Sequence, residues 1–166
     1  MFLGRLFRGI ARAVLAAGLL VSLSLRADPP SEPVGLTPAE YRGKVIYTTG
    51  RSASGRPLSF RLLGTEGLLP AKGLFCANCH GPDGKGGREG NMVIADITYG
   101  TLTRPLPALP PSDRARPAYT DALLARAITQ GIDSSGQQLA AAMPRWVLSE
   151  SELQDLLTYL KRLGRK

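Results

Sequence analysis

The most regular hydrophobic pattern in the chain lies near its C-terminus, where leucines recur with the period of an α-helix. Ser149 and Glu152 form a capping box in front of them, and Gly164 stands just behind the last leucine. The pattern predicts a helix between these limits whose apolar face packs into the core. The leucines concerned are Leu153, Leu156, Leu157, Leu160 and Leu163.

Another helix is predicted over residues 37–49. It begins at a capping box that spans Thr37 to Glu40, with a proline in the first turn, and it ends before Gly50. Gly43 and Tyr47 are four residues apart and therefore share one face of this helix. A glycine on that face allows a second helix to approach closely, with the aromatic ring packed beside it.

The other helical signals are shorter. Thr120 is the predicted cap of a helix over residues 121–130, which has one apolar face and ends at Gly131. A short helical segment is also predicted over residues 72–80.

Between these helices the pattern predicts turns and extended chain. Apolar and polar residues alternate around Phe60, which favours a small hairpin within residues 50–71. Five prolines in residues 101–119 preclude a helix there and favour an extended loop. Residues 132–142 are predicted to form a loop that leads to Met143.

The first 27 residues have the layout of a secretory signal peptide. Three arginines precede an uncharged apolar run from Ala13 to Leu25. As a helix this run would span about 20 Å, which is less than the ~30 Å hydrocarbon core of a bilayer. A membrane therefore enters the prediction only if this segment is left uncleaved. Residues 28–36 are rich in proline and predict a flexible linker, which leaves 37–166 as the folded domain.

Charge limits the classes of partner. The whole chain has a formal net charge of +8, and removal of residues 1–27 would take four arginines and no acid, which leaves +4. A modest basic excess favours docking to protein redox partners with acidic surfaces. Nucleic acid is a poor match, because the positive charges are scattered and aromatic residues make up only 6% of the chain.

The chemistry of the chain is concentrated in the five residues Cys76-Ala77-Asn78-Cys79-His80. The two cysteines are one helical turn apart, so their thiols can form thioethers with two vinyl groups on one edge of a haem. His80 then lies beneath the iron, and its imidazole would be the proximal ligand. Both cysteines are used in this way, so none is left for a disulfide.

Other uses of this spacing fit less well. A thiol redox site of the thioredoxin type requires a strand-helix-strand context, whereas here a glycine-rich segment, 81–90, follows the motif. That segment matches neither of the glycine patterns that cradle phosphates, which argues against nucleotide binding. A structural zinc site usually has four protein ligands, and the whole chain holds 2 Cys and 1 His.

Four features stand in order along the chain: the Gly43/Tyr47 helix, the Cys-x-x-Cys-His motif, a later Met-Pro pair and the capped C-terminal helix. This order resembles the class I c-type cytochromes over residues 37–164. The resemblance implies an all-α cytochrome c fold, with about four short helices around one covalently attached haem c. The 50–71 stretch would be an insertion before the haem motif. The resemblance also implies that the first and last helices cross at their glycine and aromatic positions, and that haem is attached in the periplasm.

The iron ligands follow from the same resemblance. Cys76 and Cys79 would hold the haem, His80 would be the proximal iron ligand, and Met143, which precedes a proline, would be the distal one. That proline has a fixed torsion and no amide hydrogen, so it would stiffen the ligand loop. Met92 is the rival thioether, but it follows the histidine closely and no proline comes after it.

One stretch departs from the family pattern. The family usually has a proline soon after the glycine-rich loop, in a region that supplies a carbonyl to the free nitrogen of the proximal histidine. This chain has Met92-Val93-Ile94-Ala95 there, so another backbone carbonyl would have to serve. Candidate partners for the haem propionates are Tyr99, Arg104, Arg145 and Trp146.

The sequence therefore predicts an exported, periplasmic carrier of single electrons rather than an enzyme. A thioether is a soft, neutral ligand that favours ferrous iron and raises the reduction potential relative to two imidazoles. Two alternatives stay open. One is a catalytic or ligand-sensing haem with a displaceable sixth ligand, and the other is an electron-transfer subunit of a larger dehydrogenase or oxidase complex.

Overall fold

The computed structural model of the protein describes residues 35–107 and 115–164. The predicted signal peptide, 1–27, lies outside these residues, as do most of the predicted linker and the middle of the proline-rich stretch. The described residues belong to one compact unit. Within them, no helix is both long enough and apolar enough to cross a membrane.

Two capped helices frame the fold. Helix α1, Pro38–Thr49, and the last helix, α5, Glu150–Arg162, begin at the capping boxes that the sequence predicts. In each box a hydroxyl accepts the amide of a glutamate three residues on, and that glutamate accepts the amide of the capping residue. Both boundaries are confirmed because capping chemistry is local and is written in four consecutive residues.

These two helices cross at Gly43. A Cβ atom there would lie 2.0 Å from the carbonyl oxygen of Asp155, so only glycine permits this approach. One turn further along α1, the rings of Tyr47 and Tyr159 pack with their centroids 5.5 Å apart. Arg42 and Asp155 add a bidentate ion pair across the same crossing. The crossing that the resemblance implies is therefore present.

Three shorter helices complete the helical set. Helix α2, Cys76–His80, is shorter than the predicted segment and begins at the first cysteine. Helix α3, Tyr99–Leu102, enters the stretch predicted as extended chain, but it ends before the first proline. Helix α4, Asp121–Gln130, starts at Thr120 as predicted. The described residues thus contain five helices rather than about four.

The chain also forms two small sheets, so the all-α prediction needs correction. Strand β1, Ser59–Arg61, pairs antiparallel with β2, Leu69–Pro70, which confirms the predicted hairpin. The other edge of β1 pairs antiparallel with β5, Arg145–Val147, so the strand order of this sheet is β2-β1-β5. A second hairpin joins β3, Gly87–Glu89, to β4, Met92–Ile94.

The reason for this difference is the length of the strands. Each has two or three residues, and apart from β1, which alternates around Phe60, they are too short to show a strand pattern in the sequence. The pairing of β1 with β5 brings Phe60 against Trp146, with ring centroids 5.6 Å apart, and buries both. The sheet therefore closes one side of the core that α1, α4 and α5 share. The large buried side chains of this core include Ile46, Tyr47, Leu58, Leu124, Ile128, Leu156, Leu157 and Leu160.

Two loops of the fold have the same construction. After α1, residues 50–58 form a tight loop, and after α4, residues 131–139 form another. In each, the first residue is a glycine with left-handed φ, 62° at Gly50 and 69° at Gly131. In each, the last residue is a leucine whose amide donates to the carbonyl of that glycine, at 2.9 and 2.8 Å. We call residues 50–58 the first twin loop and residues 131–139 the second twin loop.

Candidate haem attachment site

The two cysteines lie on one short helix that is fixed at both ends. At its start, the amide of Phe75 donates to the side-chain oxygen of Asn78 at 2.8 Å. At its end, the amide of Gly81 donates to the carbonyl of Ala77 at 3.1 Å. Helix α2 therefore presents its two thiols one turn apart on a single piece of rigid backbone, as attachment to one edge of a porphyrin requires.

The thiols do not have the character of a redox pair. Cys76 is partly buried, and burial raises the pKa of its thiol to about 12. The thiol is therefore un-ionised at neutral pH, whereas the attacking cysteine of a dithiol oxidoreductase has a depressed pKa. Among residues 35–107 and 115–164 there is also no group of three or more His, Cys, Asp or Glu side chains that could hold a metal ion. The un-ionised Cys76 thiol therefore argues against a thioredoxin-like site.

His80, the last residue of α2, is oriented by a backbone carbonyl. Its Nδ1 atom lies 3.0 Å from the carbonyl oxygen of Ala95. Because a carbonyl only accepts, Nδ1 carries the proton and Nε2 keeps its lone pair for a metal. Burial lowers the pKa of this imidazole, which favours the neutral, ligating form. The carbonyl that the family usually takes from a region next to proline is thus supplied by Ala95.

The glycine-rich segment explains why Ala95 lies there. The amide of Gly86 donates to the carbonyl of His80 at 2.9 Å, and the amide of Ile97 donates to Gly84 at 2.7 Å. A Cβ atom on Gly86 would lie 2.3 Å from the carbonyl oxygen of Ile94. The glycines therefore let residues 94–97 pack directly against the segment that follows the motif. They serve close backbone packing rather than phosphate binding.

Tyr47 ties the same region to α1. Its side chain is fully buried, and its hydroxyl donates to the carbonyl oxygen of Gly81 at 2.7 Å. The sequence identifies Tyr47 only as an aromatic ring at a helix crossing. The signal that could have revealed more is the hydroxyl itself, since a buried tyrosine usually has a hydrogen-bond partner.

The structure brings Cys76, Cys79 and His80 together on α2, and Met143 lies in the turn before β5. Met143 is partly buried in the segment between the second twin loop and β5, and its amide donates to Ala140 at 3.0 Å. Met92 lies on β4 with 44% of its surface exposed. Strand β4 runs directly into Ala95, so Met92 belongs to the segment that already binds the histidine at Nδ1.

The four candidate propionate partners have very different environments. Tyr99 is partly buried and Arg104 is exposed. Trp146 is 6% exposed and packs on Phe60, so it is a core residue. Arg145 is 7% exposed and binds the loop that carries Met143. A buried arginine could not be expected from the sequence, because nothing in the residues around it indicates burial.

These residues fit a covalently attached haem: two thiols on one helical turn, followed by a histidine with one nitrogen committed to the protein and the other free. The fold and the site together define a c-type haem protein. The chain belongs to the cytochrome c family, since the family model described as "Cytochrome c" matches residues 70–164, more than half of the chain. As a member of this family it binds covalently attached haem c with its iron, and its chemistry is haem-based electron transfer. No curated protein and no solved structure shows a significant match to the chain.

Proposed function

We propose that the protein is an exported monohaem c-type cytochrome that carries single electrons between protein partners, with iron ligated by His80 and Met143. The observation that carries the proposal is the hydrogen bond from His80 Nδ1 to Ala95. It commits one side of the imidazole to the protein and leaves Nε2 for iron. Because the strand that bears Met92 continues into Ala95, the same hydrogen bond supports a ligand other than Met92.

The second ligand is then supported by elimination and by chemistry. The described residues contain two methionines, Met92 and Met143. Met143 lies on a segment separate from α2 and β4, it is partly buried, and Pro144 behind it restricts the backbone. Thioether sulfur is a neutral ligand that stabilises ferrous iron, which suits a carrier of moderate to high potential.

When bound, the haem supplies a one-electron couple between ferric and ferrous iron. The protein residues would attach the haem and ligate its iron. Cys76 and Cys79 would fix the ring to α2, His80 holds its tautomer through Ala95, and Met143 would supply the second iron ligand. Ligation by both residues would keep substrates from the iron, which distinguishes a carrier from a catalytic or ligand-sensing haem.

Export and partner choice belong to the same proposal. The arginine-led apolar run at the N-terminus supports cleavage near residue 27 and a periplasmic location. The mass of the purified protein tests this, since a mass that includes residues 1–27 contradicts cleavage. The basic excess of the mature chain supports docking to acidic surfaces. An electron-exchange rate that does not fall with added salt would contradict that docking mode.

The axial assignment is tested by Met143→Ala, with Met92→Ala as the matched control. We expect Met143→Ala to retain covalent haem but to lose the far-red sulfur-to-iron band of the ferric protein and to bind carbon monoxide rapidly after reduction. Met92→Ala should keep the band. The reverse result would make Met92 the ligand, and a wild-type protein without the band would favour the displaceable-ligand alternative. Co-purification with other subunits under mild conditions would instead support the subunit alternative.

A further inference from the structure

Arg145 stands out among the charged residues of the described chain, because it and Asp133 are the charged residues that are buried there. Burying a guanidinium is costly unless its N–H groups find acceptors. In this protein the acceptors all come from one segment, the six residues that end at Met143.

The guanidinium donates four hydrogen bonds to this segment. Nη1 donates to the carbonyl oxygens of Ala140, at 3.0 Å, and of Met143. Nη2 donates to the carbonyl of Leu139 at 3.1 Å and to the side-chain oxygen of Gln138 at 3.3 Å. Four of the five N–H groups of the side chain are thus used within residues 138–143. This leaves little capacity for a haem propionate, the role considered from the sequence.

The arginine is itself held in place from two sides. Its backbone lies in β5, where it is the register partner of Arg61 on β1. Its guanidinium lies over Gly131, where a Cβ atom would be 2.1 Å from Nε. The glycine that ends α4 therefore provides the space for the side chain. Arg145 therefore links the three-stranded sheet, the end of α4 and residues 138–143.

Comparison with the first twin loop shows which part of this arrangement is special. There, Arg51 also donates to a carbonyl of its own loop, that of Gly55, at 2.7 Å. However, Arg51 is exposed, its side chain makes this single hydrogen bond to the loop, and the strand that follows the loop, β1, carries no methionine. Among the described residues, the buried, fourfold contact occurs at residues 138–143, which include the end of the second twin loop and Met143.

We infer that Arg145 is a positioning residue for the axial methionine: its guanidinium holds residues 138–143 so that the sulfur of Met143 stays on the iron. This rests on the proposed ligation by Met143. Thioether ligands bind iron weakly, so the fraction of molecules in which the methionine has left depends on how rigidly the backbone presents it. Arg145 thereby sets whether the sixth position stays closed or admits an external ligand.

The test compares Arg145→Leu, Arg145→Lys and the control Arg51→Leu, each with covalent haem attached. Leucine is apolar and donates no hydrogen bond, and lysine keeps the charge but cannot reach four acceptors. The readouts are the far-red band of the ferric protein, the rate of carbon monoxide binding after reduction, and the temperatures of band loss and of global unfolding.

We expect Arg145→Leu to bind carbon monoxide at least about tenfold faster than wild type, since a charge-assisted hydrogen bond typically contributes that factor or more. In Arg145→Lys, the temperature of band loss should fall further below the wild-type value than the temperature of global unfolding does. A merely structural role would lower the two temperatures equally. Arg51→Leu should behave like wild type in its carbon monoxide rate and in the gap between the two temperatures.

The possible failures are distinguishable. In one case the wild-type protein shows the far-red band, and the Arg145 variants keep the band intensity, the temperature of band loss and the slow rate of carbon monoxide binding. The inference about Arg145 is then wrong, while ligation by His80 and Met143 stands. If wild type lacks the band, both fail together. If Arg145→Leu does not accumulate, Arg145→Lys decides the matter through the gap between its two transition temperatures.

Discussion

At the scale of single residues, the attachment site depends on hydrogen bonds that hold backbone in place. The Tyr47 hydroxyl reaches from α1 to the carbonyl of Gly81, one residue beyond the histidine. Ala95 reaches the other side of the same region and binds the imidazole. The Cys-x-x-Cys-His motif is visible in the sequence. These two hydrogen bonds are not, because each joins segments that only the fold brings together.

Tyr47→Phe is expected to lower the free energy of unfolding by roughly 1–3 kcal/mol, because it leaves the Gly81 carbonyl without its donor while keeping the ring. Chemical denaturation of the haem-loaded protein measures this. Tyr159→Phe is the matched control, since its ring packs against Tyr47 and its hydroxyl has no hydrogen-bond partner among the described residues. Equal effects of the two substitutions would contradict the role assigned to the Tyr47 hydroxyl.

At the scale of elements, the crossing of α1 and α5 determines where the haem helix can sit. The two helices approach at Gly43, and α1 then contacts α2 through Tyr47. Ion pairs from Arg42 to Asp155 and from Arg162 to Glu40 flank the crossing, but their partly exposed positions make them weak contributors. The close backbone contact is the feature that a substitution can test.

Gly43→Ala should destabilise the protein by roughly 1–3 kcal/mol or more, because the new methyl group would collide with the carbonyl of Asp155. Helix propensity alone predicts the opposite sign, a gain of about 0.5–1 kcal/mol. Gly100→Ala, in α3 with open space around it, is the control and should be close to neutral or slightly stabilising. Thermal unfolding of both variants decides the sign, and a stabilised Gly43→Ala variant would contradict the crossing.

The sequence predicts an element well when the interactions that stabilise it lie within a few residues of one another. Helices α1, α4 and α5 are predicted with their caps, because Thr37, Thr120 and Ser149 act within four residues of themselves. Strand β5 is not predicted, since its three residues form a strand only by pairing with β1, more than eighty residues earlier. The burial of Arg145 depends on that same pairing, which is why the sequence suggests a propionate partner instead.

At the scale of the whole molecule, the haem joins parts of the chain that the polypeptide alone connects sparsely. Cys76, Cys79 and His80 are on α2, and Met143 lies more than sixty residues later on a separate segment. Ligation of the iron by both His80 and Met143 would link α2 to the second twin loop and to β5. The family membership shows the covalently attached haem, and ligation by Met143 is the proposed part of this arrangement.

The variant Cys76→Ala/Cys79→Ala should therefore reach the export compartment without covalent haem and largely unfolded, because the ring contributes much of the core. Mass spectrometry of the purified chain checks for the absence of added haem mass, and far-UV circular dichroism checks the loss of helix. Each single cysteine variant should retain one thioether and serves as the control. A stable, helical double variant would contradict the central structural role of the haem.

The most direct test of the account is the absorption spectrum of the ferric wild-type protein, produced in cells that carry out cytochrome c maturation. We predict a low-spin haem spectrum with a far-red sulfur-to-iron band, as expected for ligation by His80 and Met143. A colourless protein would contradict haem attachment at Cys76 and Cys79. A high-spin spectrum without that band would contradict the closed, methionine-ligated site on which the electron-carrier function depends.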